Sequence, residues 1–422
     1  MGLRFLHFAD LHLGVETYGR LDPQSGLNSR AQDFIKCLTF VVDLALSERL
    51  DLVLFAGDAY KTCDPDPTHQ REFAQQLRRL RRAGVPVVLV VGNHDTPAAF
   101  GRATALDIFS ALELEDTHVI RRPQLLRVET RGGPLQLAGL PWPTRHSLRA
   151  LDEYKDLPQE KLNQQIQGIC GTQIAEFGRA LDPSLPAVFT AHVAAAEATY
   201  SGSERTAVIG QDPVLLTSTL ANPAFDYVAL GHVHKHQDLH AHAPPSVVYA
   251  GSIERLNFGE ERDPKGCCLV CIDSLPAGGR RTTWEFVPTP ARTFLTIEAD
   301  LPPEAPDPTA CLLEAIAAHR LEGAVVRLSY PQPRPGQPPI DLARVRAALA
   351  PAFHLAGILP RAAAPTRLRR AAVDRELDLG QALDRYIDNH PGLHGQREIL
   401  QRCAGLLRRE LEAGDRAEDA EP

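Results

Sequence analysis

Val85-Pro86-Val87-Val88-Leu89-Val90-Val91, followed at once by Gly92-Asn93-His94-Asp95, is the stretch on which the reading of this chain turns. All of the first seven residues but Pro86 are apolar β-formers, which suits a fully buried parallel strand. The strand stops at a glycine and presents an amide, an imidazole and a carboxylate in succession. In an open α/β sheet, ligands and chemistry gather at the carboxyl ends of the strands. The tetrapeptide therefore directs attention to every other strand end in the chain.

Upstream, residues 3–8 read as a first buried strand ending in Ala9-Asp10-Leu11-His12. Asp10 and His12 are two apart, so extended chain would turn both side chains to one side. Phe34, Leu38, Val41, Val42 and Ala45 recur at helical spacing and predict a helix over 30–49. A second strand over 51–56 closes on Gly57-Asp58, and after a Pro- and Asp-rich loop a helix is expected over 68–83. The arginines at 78–82 on that helix read as a solvated face. Strand, helix, strand, helix, strand at these spacings marks parallel βαβ units.

Downstream, a hairpin over 125–128 and 135–140 turns around Arg131-Gly132-Gly133, and 157–181 reads as helix. A strand over 187–191 ends in His192, and another over 226–230 ends in Gly231-His232-Val233-His234. Strands over 246–250, 266–272 and 284–287 complete a strand-rich half in which antiparallel pairing is expected. Beyond 290 the texture changes. Strands over 294–299 and 324–329 and helices over 309–319 and 340–349 predict a small α/β domain, interrupted by proline-rich loops at 301–308 and 331–339. From 366 the chain is charged and helical, with a last helix over 396–411 and an acidic, disordered tail over 414–422.

At 422 residues, 44% hydrophobic and 23% charged, the chain is ordinary globular material with room for two or three domains. A formal net charge of −8 argues against coating nucleic acid through bulk positive charge. It leaves room for a nucleic-acid enzyme, because bound divalent cations supply positive charge where phosphate sits. No apolar run approaches the roughly 18 residues of a membrane span, and the first residues run straight into a strand without a signal core. A cytoplasmic, reducing location is expected, with the eight scattered cysteines as free thiols. Cys268-x-x-Cys271 has zinc-knuckle spacing but no second pair, and reads as buried strand.

Collected together, the strand ends carry Asp10, His12, Asp58, Asn93, His192, His232 and His234, besides His94. Two carboxylates, one amide and four ring nitrogens suit two borderline divalent cations such as Mn²⁺, Fe²⁺ or Zn²⁺, and the absence of thiolates weighs against structural zinc. Two such ions, roughly 3.5–4 Å apart, clamp the attacking and leaving oxygens of a displacement at phosphorus. Asp58, the single carboxylate at the end of the second strand, is the natural bridge. Each piece alone has an ordinary explanation: a loop pair, a turn, a hydrogen-bonded core histidine, a surface His cluster at 232–236. Five strand ends all bearing such groups do not.

Asp10-x-His12, Gly57-Asp58, Gly92-Asn93-His94-Asp95, His192 and Gly231-His232-x-His234, in this order, resemble the calcineurin-like metallophosphoesterase superfamily. Within it, Phe8 to Gly14, Ala250-Gly251-Ser252 and the small C-terminal α/β domain are similar to SbcD-type nuclease subunits of the bacterial SbcCD DNA repair complex. The resemblance implies an α/β sandwich of two mixed sheets flanked by helices, over 1–290. It further implies a capping domain over 291–365, and over 366–422 helices that grip a coiled-coil ATPase. One metal would be held by Asp10, His12, Asp58 and His234, the other by Asp58, Asn93, His192 and His232, with Mn²⁺ the usual ion. His94 would protonate the leaving 3′-oxygen, oriented by Asp95. DNA and an SbcC-type ATPase would be the partners, in a heterotetramer with two copies of this chain. Archaeal and eukaryotic relatives carry a histidine three residues past the bridging Asp, where this chain has Lys61. Lysine cannot copy imidazole's proton chemistry near neutral pH.

The implied activity is a metal-dependent DNA exonuclease and endonuclease. Its rivals are a small-molecule phosphodiesterase or phosphatase on the same site, and a metal-binding scaffold that does not cut. The long C-terminal extension counts against the first rival and the complete ligand set against the second.

Overall fold

The structure, a computed structural model, describes residues 2–97, 101–149, 153–202, 212–276, 278–334, 336–361, 379–388 and 391–405. The chain falls into two compact units, Met1–Leu359 and Pro360–Pro422. The first begins with β1 (Leu3–Phe8), α1 (Ser29–Ser47), β2 (Leu52–Phe55), α2 (Pro67–Arg82) and β3 (Val87–Val90). These strands pair in parallel, β1 with β2 and β2 with β3, as the spacing predicts. Asn28 caps α1 by accepting from the Arg30 N–H, and Asp66 caps α2 ahead of Pro67 at the first helical position.

Period-2 alternation decides what each face of this sheet meets. Leu6, Phe8, Val53, Phe55, Val87 and Leu89 point to the helices and pack on Phe34, Leu38, Val41, Phe73 and Leu77. Leu3, Phe5, Leu52, Leu54, Val88 and Val90 point the other way, onto a second sheet. The first sheet is completed by β4 (Thr117–Ile120) beside β3, and by β13 (Gly266–Ser274) and β14 (Arg280–Pro288), antiparallel, beyond β1. Cys268 lies buried in β13, consistent with a strand rather than a zinc knuckle.

The second sheet has the order β11-β12-β10-β7-β6-β5. Its strands are β5 (Gln124–Thr130), β6 (Gly133–Leu140), β7 (Ala187–His192), β10 (Tyr227–Gly231), β11 (Gln237–Asp238) and β12 (Ser246–Tyr249). A two-residue pair, β8 (Ala194–Ala195) and β9 (Val214–Leu215), lies apart. The helix Gln159–Ala180 covers the outer face, setting Leu162, Ile166, Ile174 and Phe177 against Phe189, Leu230 and Val247. The result is two mixed sheets face to face with helices outside both.

One expectation needs correction here. β6, β7, β10 and β12 run parallel to one another, and among the described residues antiparallel pairing here is confined to β5–β6, β11–β12 and β13 with its neighbours β1 and β14. Strands buried on both faces read as continuous apolar runs, which carry no sign of their partner's direction. β4 has no signal in the sequence, its Thr-His-Val-Ile being too short to carry a pattern.

After residue 290 come β15 (Phe294–Glu298), the helix Pro308–Ala317, β16 (Val325–Pro331), the helix Leu342–Ala348 and β17 (His354–Arg361), the strands forming one three-stranded sheet. β17 has no clear signal in the sequence because its Gly357 and Pro360 are poor strand formers. Arg292 ties this sheet to the core: its guanidinium donates to Asp33 of α1 and to the Gly323 carbonyl, and lies 3.5 Å over the Phe353 ring. In the second unit the helix Leu379–Asp388 and a 3₁₀ turn, Pro391–Gln396, lead into helix that is described to residue 405. The predicted end of the last helix and the acidic tail lie outside the described residues. Among the described residues no helix is long and apolar enough to cross a membrane.

Candidate metal centre

β1, β2 and β3 of one sheet and β7 and β10 of the other end at the same edge of the sandwich, and the motif residues follow directly. The loops after β1 and β2 zip together: the Asp10, His12 and Leu13 N–H groups donate to the carbonyls of Gly57, Asp58 and Ala59. Such close approach needs glycine. A Cβ on Gly92 would stand 2.1 Å from Asp58 Oδ1, and one on Gly57 2.2 Å from His192 Nδ1. The extended chain expected through Asp10 and His12 is not found. Both adopt left-handed backbone, with φ of 53° and 47°, because the zipper turns the chain there. Asp58 (φ 61°) and His232 (φ 97°) do the same. Half of the eight non-glycine residues with positive φ among the described residues are thus candidate ligands. Such conformations cost on the order of 1–3 kcal/mol each and persist where surrounding structure over-determines them, typically at functional sites.

All seven predicted ligands converge. His12 Nε2 and His234 Nε2 face one another at 2.9 Å. One oxygen of Asp58, Oδ2, lies 3.5 Å from His12 Nε2 and 3.4 Å from His192 Nε2, so it addresses both sides of the site. Asn93 Oδ1 lies 2.9 Å from His192 Nε2 and 3.0 Å from His232 Nδ1. Ligand atoms of Asp10, His12 and His234, of Asp10, Asp58 and His192, and of His12, Asp58 and His94 lie within 4.8 Å of one another in each group. Imidazole nitrogens packed this closely against each other and against carboxylate oxygen, all buried but that of His94, form a donor set that could hold divalent cations. The set is oxygen and imidazole only, which fits borderline ions.

Burial sets the ring charges. It pushes His12 well down and His232 down to about 3, so both stay neutral, the form a ligand needs. For His192 burial pulls the same way but the Asp58 carboxylate outweighs it and raises the ring to about 9. Burial would raise Asp58, yet His192 and His12 hold its carboxyl well below the ordinary range. Asp10, mainly through burial, is lifted to about 6.

His94 sits exposed at the rim, its ring edge-on to His12 at 4.7 Å between centroids. Its Nδ1 is 2.8 Å from the Lys61 carbonyl, which can only accept, so Nδ1 carries the proton and Nε2 is left for the cleft. Asp95 does not orient that ring. Its buried carboxylate instead accepts from the backbone N–H groups of Asp58, Ala59, Tyr60 and Gly92. A carboxylate one residue after His94 is turned inward by four donors that only the folded loops assemble. His236, half-buried, donates from Nδ1 to the Tyr249 carbonyl and stacks on Phe286 at 4.2 Å, away from the ligands.

Three neighbours were missed. Trp142 lies tilted on the His232 ring at 4.9 Å; it follows β6, so the same strand-end logic would have found it. Glu260 and Lys265, both buried, stand behind His234. Their local sequence has no periodic or motif signal. In front of the ligands, Lys61, His94, Trp142, Arg145 and Asp212 line a cleft of about 420 Å³.

The calcineurin-like phosphoesterase family matches residues 3–236, more than half of the sequence. The chain belongs to this family. The family's span takes in every candidate ligand from Asp10 to His234. Among curated relatives, the chain is 28% identical over 287 residues to the SbcD component of the nuclease SbcCD of Bacillus subtilis (strain 168), covering 68% of this chain and 69% of that one. It is 27% identical over 279 residues to the metallophosphoesterase YhaO of the same organism, covering 64% and 57%. It is 26% identical over 308 residues to the DNA double-strand break repair protein Mre11 of Aeropyrum pernix, covering 71% and 64%. The chain thus spans 57% to 69% of the length of these phosphoesterases. A solved dimetal phosphatase from Danio rerio aligns at 13% identity and a TM-score of 0.37, over 67% of this chain and 98% of that one.

Proposed function

We propose that this phosphoesterase is a DNA exonuclease and endonuclease that hydrolyses phosphodiester bonds with two divalent cations, Mn²⁺ the activating ion. The convergence of Asp10, His12, Asp58, Asn93, His192, His232 and His234, four of them on left-handed backbone, carries the proposal. Asp10, His12, Asp58 and His234 would hold one ion, and Asp58, Asn93, His192 and His232 the other. When bound, such a pair neutralises phosphate charge and acidifies water near neutral pH. Asp58 aligns the two halves by presenting one oxygen to both. His94, its Nδ1 proton engaged by Lys61, offers Nε2 to the leaving oxygen and in its protonated form would donate there. Asp95 keeps the Asp58 and Gly92 loops in register, so it is a positioning residue. Lys61 and Arg145 line the cleft where phosphate oxygens would lie.

Likeness to SbcD and to Mre11 supports DNA as the substrate and break repair as the setting. On the same basis the core would be residues 1–290, the cap 291–365, and the helices after 366 the binding site for a coiled-coil ATPase, with two copies of this chain per assembly. The cytoplasm would be the location. The test is incubation with Mn²⁺ and either labelled linear DNA or bis-p-nitrophenyl phosphate. Cleavage of DNA, lost in His94→Gln while Mn²⁺ stays bound, is expected. Activity on the chromogenic ester alone would favour a small-molecule phosphodiesterase, and Mn²⁺ binding with no hydrolysis of either would favour a scaffold.

A further inference from the structure

The two halves of the centre differ in what stands behind their histidines. His234 Nδ1 is 2.9 Å from Glu260 Oε1, while His234 Nε2 faces the site. Glu260 is fully buried and its other oxygen is 2.8 Å from Lys265 Nζ. Lys265 also donates to the His234 carbonyl at 3.1 Å and to Ser252 Oγ at 2.8 Å, and the Leu256 N–H donates to Glu260 Oε2 at 3.1 Å. Both the ring and the backbone of His234 are therefore anchored to one buried ion pair. The turn that carries Glu260, Phe258–Glu260, is itself pinned: Phe258 packs on Phe294 and Tyr18, and the adjacent Glu261 accepts from the Thr296 N–H.

On the other side the His232 N–H donates to the Asp10 carboxylate at 3.0 Å, but among the described residues no fully buried ion pair stands behind a ring nitrogen of His192 or His232. His192 Nδ1 donates to a neutral carbonyl, that of Ala56, at 2.8 Å. Buried His232 Nε2 has no hydrogen-bond partner among the described residues; an Asp212 carboxylate oxygen is 3.9 Å away, and the ring leans on Trp142. Asn93 adds a neutral amide oxygen, whereas Asp10 on the first side adds a carboxylate.

We propose that Glu260, held by Lys265, is a positioning residue for the cation that Asp10, His12, Asp58 and His234 would bind, and makes that the tighter and first-filled of two unequal positions. This rests on the reading of the site as a cation centre. A carboxylate on the far nitrogen fixes the tautomer with Nε2 unprotonated and makes the ligand more basic, and loss of such a partner typically weakens metal binding about 10–100-fold. Because Lys265 neutralises Glu260, the effect lies in the hydrogen bond and the fixed ring orientation more than in added charge. Two consequences separate this from a purely structural role: the wild-type ions should bind in distinct steps, and only the tighter step should depend on Glu260.

The experiment is calorimetric titration of the metal-stripped full chain with MnCl₂, checked by the electron paramagnetic resonance signal of free Mn²⁺. Wild type should bind two ions with affinities at least about tenfold apart. Glu260→Gln should weaken the tighter step about 10–100-fold and leave the weaker within about twofold. If that variant fails to fold, because Lys265 is left buried without its partner, the double variant Glu260→Gln/Lys265→Met removes the stranded charge and should show the same selective loss. Two equal affinities in wild type, or unchanged affinities in a folded variant, would overturn the inference while leaving the cation centre intact. No Mn²⁺ binding by wild type would overturn both.

Discussion

Replacing Gly92 by alanine adds one methyl group, and the structure says where it goes. The new Cβ would sit 2.1 Å from Asp58 Oδ1 and 2.5 Å from the Asp58 backbone nitrogen. Ordinary van der Waals contact begins near 3.4 Å, so the carboxylate must retreat by about 1.3 Å. Gly92 has no positive φ, so the substitution is not strained by backbone conformation and acts by crowding alone. Asp58 cannot retreat freely: Oδ1 accepts from the His94 N–H at 2.8 Å, and its own N–H is held by Asp95 at 3.0 Å. Overpacking of this kind costs about 1–3 kcal/mol. A displacement of about 1 Å in a reacting constellation costs on the order of 10²-fold in rate. Gly92→Ala should therefore fold, melt at lower temperature, and hydrolyse bis-p-nitrophenyl phosphate about 100-fold more slowly at saturating Mn²⁺. Gly168→Ala, in the helix Gln159–Ala180 with open space where the methyl would go, is the control and should be neutral to stabilising by up to about 1 kcal/mol. Wild-type turnover by Gly92→Ala would refute the argument that Asp58 is placed by its contact with this glycine.

Asp95→Asn should destabilise the metal-free protein by at least about 2 kcal/mol, since an amide can accept through only one atom where four backbone N–H groups now converge; urea unfolding in chelator measures it, and an unchanged midpoint would show that the loops hold without it. His7 gives a pH dependence. It is buried between the sheets, its Nε2 3.2 Å from the Leu230 carbonyl and its Nδ1 3.2 Å from the Tyr227 hydroxyl, and burial lowers its pKa from 6.5 to about 3. As pH falls the unfolded chain takes the proton first, so the stability present above about 6.5 is progressively lost towards 3. Between about pH 7 and about pH 5 this group should account for about 2 kcal/mol. His7→Phe should remove that share of the acid-induced loss, seen as a smaller difference between urea unfolding free energies at the two pH values; an identical difference would assign the acid sensitivity elsewhere.

Much was legible without coordinates because it is local. Alternation and helical spacing fixed β1 to β3 with α1 and α2, since each strand and helix must bury one face whatever its neighbours are. The candidate ligands were equally visible, because a strand end that is to face cations needs carboxylate, amide or imidazole. What the tertiary structure alone decided is how those ends meet. The left-handed turns at Asp10, His12, Asp58 and His232 come with backbone hydrogen bonds between loops far apart in sequence. The direction of β7, β10 and β12 depends on connections that a buried apolar run does not encode. The family resemblance implied Asp95 as the partner that orients His94, yet four backbone amides, three of them from the loop after β2, hold its carboxylate. Glu260 and Lys265 stood outside every pattern, since a buried ion pair is chosen by what surrounds it in space. Sequence specifies which groups can bind or react; which atom each turns to the site is set by donors and acceptors that only folding brings within reach.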